Sequence, residues 1–166
     1  PQDEIRINAE YYFAVCALKL YHQSVETLLT RFVLDHPDHP KSKKVFLQLA
    51  RHYYRTRKFT KAIEYFDKVD QYDLSIVDQN EYLFKLGYSK FIRKKSLEAK
   101  VHLNELLERE SDYKVPATYY YSHIAYNEGN YQTALLGFRK IAKSKMFKSI
   151  IPVSYTHLRA HETADN

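Results

Sequence analysis

The stretch Ala117–Ala142, ATYYYSHIAYNEGNYQTALLGFRKIA, decides the fold. Thr118, Tyr121, Ser122 and Ala125 recur three or four residues apart, as do Ala134, Phe138 and Ile141, so each set lies along one face of a helix. Gly129-Asn130-Tyr131 stands between them and supplies a tight turn. Together these residues predict two short antiparallel helices, a hairpin. The skeleton recurs upstream, where Ala62 and Phe66, then Ala99 and Leu103, stand where Ala134 and Phe138 stand, at intervals of 37 and 35 residues. A period of that length marks an array of helical repeats, each hiding its apolar face against its neighbours.

Each unit reads as helix, turn, helix, with a small residue where the helices come closest and larger apolar residues around it. In the second unit Phe46, Leu49 and Ala50 mark one helix and Phe59, Ala62, Phe66 and Val69 the next. The third repeats this with Leu83, Leu86, Gly87, Leu97, Ala99, Leu103 and Leu106 as the expected core. Gly87 lowers helix propensity by about 1 kcal/mol relative to Ala. Its place in mid-helix predicts that a neighbouring helix occupies the missing side-chain volume.

At these residues the chain resembles the tetratricopeptide repeat (TPR). Gly129-Asn130-Tyr131 followed by Ala134 and Phe138 matches that pattern closely, Leu49-Ala50, Tyr53, Phe59, Ala62 and Phe66 match it in the second unit, and Leu86-Gly87, Ala99 and Leu103 in the third. The first unit is degenerate, with Val25, Leu29 and Phe32 in the small, aromatic and small places and Pro37 in the place of the closing proline. The resemblance implies an all-α fold, a right-handed α-solenoid of about four hairpins, with units near 5–40, 41–77, 78–113 and 114–150 inside an array covering 1–152. The wording of residues 32–69 is also similar to repeats of bacterial cell-envelope scaffolds, which implies an internal piece of a larger non-enzymatic protein in the periplasm or cell envelope, with the cytoplasm as the other setting.

In a tetratricopeptide superhelix the first helix of each hairpin lines the concave face. Carried over residue by residue, the partner-binding groove is Lys44, Arg51, Tyr54 and Arg55, then Glu81, Phe84, Tyr88 and Phe91, then Tyr119, His123, Tyr126 and Asn127. Tyr and Arg are the side chains that most often carry interface energy, so the implied partner is a protein or an extended peptide, acidic with one or two apolar anchors. Tyr54, Tyr88 and Tyr126 are equally suited to bridging adjacent repeats, because an amphipathic ring serves both purposes.

Residues 153–166, VSYTHLRAHETADN, break the repeat and resemble a translated sequencing adapter. His157 and His161 lie four apart beside Glu162, a metal-ligand spacing that loses its meaning on such a tail. The chain has 166 residues, few glycines and prolines, no alternating strand pattern and a formal charge of +6, a mildly basic balance that favours acidic partners or anionic surfaces. Cys16 is the single cysteine, so no intrachain disulfide forms, and its expected place is the core of the first helix. No apolar run approaches the length of a membrane span.

Asp35-His36-Pro37-Asp38-His39-Pro40 alternates imidazole and carboxylate, yet two prolines and two turn-forming aspartates make it a joint between the first two units rather than a metal site. Arg55-Thr56-Arg57-Lys58 and Arg93-Lys94-Lys95 occupy equivalent turns and form a basic edge. That edge carries the rival reading, a helical repeat binding nucleic acid through phosphate contacts and nearby aromatics. A purely structural spacer within a longer array is the third. No phosphate loop, HExxH or Gly-x-Ser-x-Gly pattern is present, so neither catalysis nor a cofactor is expected.

Overall fold

The computed structural model describes residues 2–144; the tail at 153–166, with His157, His161 and Glu162, lies outside them. Among the described residues the chain is all helical and holds no strand. Eight α-helices follow one another: α1 (Gln2–Lys19), α2 (Val25–Asp35), α3 (Pro40–Arg55), α4 (Phe59–Phe66), α5 (Ile76–Ile92), α6 (Ser96–Leu107), α7 (Lys114–Asn127) and α8 (Tyr131–Lys143), with one 3-10 turn at Gln71–Asp73. They form two compact units that divide after Leu74. In the first, α1 packs on α2, α2 on α3 and α3 on α4; in the second, α5 packs on α6, α6 on α7 and α7 on α8.

Four hairpins close through the same turn. At Tyr21, Arg57, Lys94 and Gly129 the backbone is left-handed, with φ of 56°, 60°, 60° and 78°. Each of these amides donates to a carbonyl three residues back, and the amide that follows donates five residues back: Lys58 to Tyr53, Lys95 to Lys90, Asn130 to Ala125 and His22 to Ala17. This pair of bonds is the Schellman closure, which satisfies the carbonyls that a helix end leaves open. The left-handed residues lie 36, 37 and 35 positions apart. The turn therefore recurs with the sequence period, although only one of the four positions is a glycine.

Helix starts are fixed by side chains at some joints and not at others. The Ser75 hydroxyl accepts from the Asp78 amide and Asn130 Oδ1 from the Thr133 amide, each at 3.2 Å, as expected of N-cap residues. Pro40 opens α3, where its missing N–H is no loss. Lys58 and Lys95, which precede α4 and α6, provide no side-chain cap. In the joint between α2 and α3, His36 Nε2 lies 2.7 Å from Glu10 and His39 Nε2 3.5 Å from Glu4, both on α1. The Ser42 hydroxyl donates to the His36 carbonyl at 2.5 Å, tying α3 to the same loop.

The core follows the repeat register. Ala62 and Ala99 are inaccessible and Ala134 is 2% exposed. At Gly87 an added Cβ would stand 3.0 Å from the Leu103 side chain, and at Gly137 only 1.8 Å from the Ser122 hydroxyl oxygen, so both glycines mark close crossings between the helices of a hairpin. Two expectations for the core are corrected. Leu97 is 77% exposed, and Cys16 is exposed as well. Each lies two residues from its helix's buried alanine, Ala99 or Ala14, a rotation of roughly 200° that carries the side chain to the far side.

Candidate functional site

The side chains expected to form a groove come from α3, α5 and α7, the first helices of their hairpins. In the first unit Lys44 and Arg55 are exposed, and Arg51 and Tyr54 are half-buried. The Tyr54 ring meets Phe59 edge-on at 5.9 Å, so it packs within its own hairpin. The Arg55 guanidinium lies over the Tyr21 ring at 4.3 Å and its Nη2 is 3.4 Å from His52 Nδ1. Burial, then the neighbouring Arg55 charge, lowers the His52 pKa. Arg55 therefore ties α3 to the turn between α1 and α2 through a cation–π contact.

Beneath α3 lies a connection that sequence periodicity does not display. Glu26 on α2 receives Lys61 at 2.8 Å and Lys58 at 3.4 Å from the next hairpin. The Lys61 hydrogen bond, followed by one from the Tyr53 hydroxyl, lowers the Glu26 pKa to about 2. Tyr53 is pushed up in turn, chiefly by burial and then by its bond to Glu26. The second unit has a counterpart in Lys100 of α6, which meets Glu128 at the end of α7 at 2.7 Å and lies over the Tyr121 ring at 5.7 Å.

In the second unit the expected groove residues separate into two sets. Phe84 and Tyr88 are 8% and 3% exposed. Their rings are wedged between α5 and α7, with Phe84 stacked on Tyr113 at 5.2 Å and Tyr88 edge-on to Tyr120 at 4.9 Å. Their assignment as partner-contacting groove residues is corrected here, because spacing of four residues on α5 aims both rings at the helix that packs there. Tyr88 is a bridge between hairpins. Glu81, also on α5, forms an ion pair with Lys85 at 2.5 Å.

The other set is a ridge on α7. Tyr119, His123, Tyr126 and Asn127 fall four, three and one residues apart, so they share a face. Phe91 of α5 meets the His123 ring edge-on at 5.6 Å. Tyr119 meets Phe138 at 5.9 Å, and burial raises its pKa. His123 Nδ1 and Asn127 Nδ2 are 3.2 Å apart. Tyr126 is 56% exposed and touches only the edge of Tyr131, at 5.5 Å, among the ring contacts of the described residues. Tyr131 and Phe138, both on α8, thus join the aromatic surface, although the sequence pattern marks them only as repeat-register residues; their period reports the helix face and not a contact across the turn.

Neither runner-up feature gathers comparable chemistry. Of the six cations in the two basic runs, Arg55 is held on Tyr21, Lys58 on Glu26 and Lys95 on Glu98, which leaves Arg57, Arg93 and Lys94 exposed. No group of three His, Cys, Asp or Glu side chains converges among the described residues, and His36 and His39 face glutamates. A cleft of about 580 Å³ opens between α6, α7 and α8, lined in part by Val115, Thr118, Tyr121, Leu136 and Ile141. The Ser111 hydroxyl oxygen at its margin is buried with no hydrogen-bond partner among the described residues. No described helix is long and apolar enough to cross a membrane. No family model, curated protein or solved structure matches the chain.

Proposed function

We infer that this chain is a protein-interaction scaffold of the tetratricopeptide type, a stack of helical hairpins that holds a peptide segment of its partner against the first helices. The observation that carries this reading is the α7 ridge: Tyr126 exposed, His123 and Asn127 linked beside it, and Phe84, Tyr88 and Tyr120 packed below as a stiff floor. Exposed Tyr on a rigid support gives large contact area at little entropic cost, the usual quality of a binding anchor. The recurring left-handed turn and the inaccessible alanines support a repeat array. A partner with apolar or aromatic anchors and a carbonyl or amide able to meet His123 and Asn127 suits the ridge. The bacterial cell envelope is the setting that fits the sequence likeness.

The test is a screen of immobilised peptides, followed by binding and melting curves for variants. Tyr126→Ala should weaken a selected peptide by about 1 to 2 kcal/mol and leave the melting midpoint in place. Tyr88→Ala should instead lower stability by about 3 kcal/mol, as removal of a buried ring does. Should Tyr126→Ala and His123→Ala leave affinity untouched while charge reversal at Arg57, Arg93 and Lys94 abolishes it, the basic edge is the binding surface and the scaffold reading in this form is wrong.

A further inference from the structure

Within each unit the first helix of one hairpin meets the first helix of the next, and counted back from the left-handed residues the contact falls at the same two positions. In the second unit Phe84 stands ten residues before Lys94 and Tyr113 sixteen before Gly129, and their rings stack at 5.2 Å. In the first unit Tyr11 stands ten residues before Tyr21 and Lys41 sixteen before Arg57, and the Lys41 ammonium lies over the Tyr11 ring at 5.0 Å. Further along α5, Tyr88 and Phe91 stand six and three residues before Lys94, and Tyr120 of α7 meets both, at 4.9 and 5.2 Å. Phe84 and Phe91 are seven residues apart, as are Tyr113 and Tyr120, so α7 runs parallel to α5 and covers it with rings two helical turns apart.

On α7 the residues ten, six and three before Gly129 are Tyr119, His123 and Tyr126, the ridge itself, and Asn127 stands where α5 has Ile92. The ridge is therefore the face that on α5 a helix covers. There Phe84 and Tyr88 are buried, whereas on α7 Tyr126 is 56% exposed and Asn127 is exposed as well. The chemistry of the two faces differs in one direction. Tyr replaces Phe twice, His replaces Tyr and Asn replaces Ile, so α7 carries the more polar residue at every one of these positions. Hydrocarbon suits a face that stays covered, because hydroxyl, imidazole and amide groups give up water on burial. Rings with polar edges suit a face that stands in water and closes on its partner reversibly.

We propose that the α7 ridge takes an amphipathic helix of another protein, lying parallel to α7 with two aromatic side chains seven residues apart, the first over Tyr119 and the second between His123 and Tyr126. This rests on the reading of the ridge as a partner site and names the form of the partner's segment. A helix is the occupant because a helix holds the equivalent place on α5 and on α1, and the spacing of its anchors is that of Tyr113 and Tyr120. It belongs to another protein because the polar edges of Tyr119, His123, Tyr126 and Asn127 fit a face that is bare until the partner arrives. Laying the apolar stripe of a helix against such a face is a recurring mode of recognition.

Fluorescence anisotropy of labelled, stapled Ala-rich helical peptides against the full chain tests it, with circular dichroism to establish that each variant folds. A helix with tyrosines seven residues apart is expected to bind, and the same helix with them five apart, on diverging faces, to bind at least roughly tenfold more weakly. Tyr126→Ala should weaken the first peptide by roughly tenfold, while Leu97→Ala, an exposed change on α6, should leave it unaltered. Equal binding of the two helices, or binding that Tyr126→Ala and His123→Ala both leave unchanged, overturns the proposal. So does self-association of the chain that Tyr126→Ala abolishes, because a second copy is then the occupant. If a proline-interrupted, extended peptide with the same tyrosines binds as tightly as the helix, or only extended peptides from the immobilised screen bind, the helical partner falls and the scaffold reading stands. If no peptide of either kind binds, both fall.

Discussion

At Lys94 and Arg57 an L-residue with a full side chain adopts a conformation that glycine adopts freely, at φ of 60° in both. A left-handed residue with a Cβ is disfavoured by about 1 to 2 kcal/mol, and the two closing hydrogen bonds of the turn hold it there. Gly129 meets the same demand without that strain, and no atom approaches the place of its missing Cβ. Replacing Lys94 with Gly should therefore raise stability by about 1 kcal/mol, the relieved strain exceeding the added freedom of the unfolded chain. Gly129→Ala should lower stability by a similar amount. Urea unfolding of both variants checks the pair, and equal midpoints would contradict the turn assignment. Gly137→Ala is a different case, since its Cβ would meet the Ser122 hydroxyl oxygen at 1.8 Å. Overpacking of this kind costs about 1 to 3 kcal/mol. Combining it with Ser122→Ala should recover part of the loss, because the two sites share one contact.

Between elements, the Glu26 cluster makes stability depend on acid. Its carboxyl titrates near pH 2 in the folded chain against an ordinary value of 4.5, so the unfolded state takes up the proton first as pH falls. The contribution is fully present above pH 4.5 and is lost as pH drops towards 2. With the Glu26 side chain 35% exposed, solvent screening reduces it to on the order of 1 to 2 kcal/mol. Glu26→Gln should be less stable than wild type at neutral pH, and the gap should close across that acid window in melting curves taken at each pH. The helices themselves were legible in the sequence, because Ala62, Ala99 and Ala134 mark crossings and their period gives the hairpins. Contacts between elements were less so. Glu26 carries no periodic signal, and Phe84 and Tyr88 look like any exposed aromatic pair until α7 is placed beside them. Cys16 and Leu97 were misplaced because both residue types usually lie inside, whereas their angular position on the helix carries them outside.

Across the whole molecule, the charge of +6 overstates what a nucleic acid would meet, because three of the six cations on the basic edge are already engaged. Arg57 remains in the first unit and Arg93 and Lys94 in the second, so binding of a single-stranded oligonucleotide through the basic turns should show a slope no steeper than about −2 in a plot of log affinity against log salt even if all three take part. A steeper slope in a salt-titrated anisotropy assay would bring other cations into play and lift that reading. Of the candidate site, the α7 ridge could be read from spacing alone, while its supporting floor required the packing of α5 on α7. The order of helix packing has one more consequence, in time rather than in space. Within each unit helices meet their immediate neighbours in sequence, or the next but one, so loop closures are short and little chain entropy is spent before contacts form. Chains of such low contact order cross their folding barrier in microseconds to milliseconds. On dilution from urea, helical signal should return within the first milliseconds, and a dominant phase lasting seconds would mean that some distant contact, absent from this packing order, controls the rate.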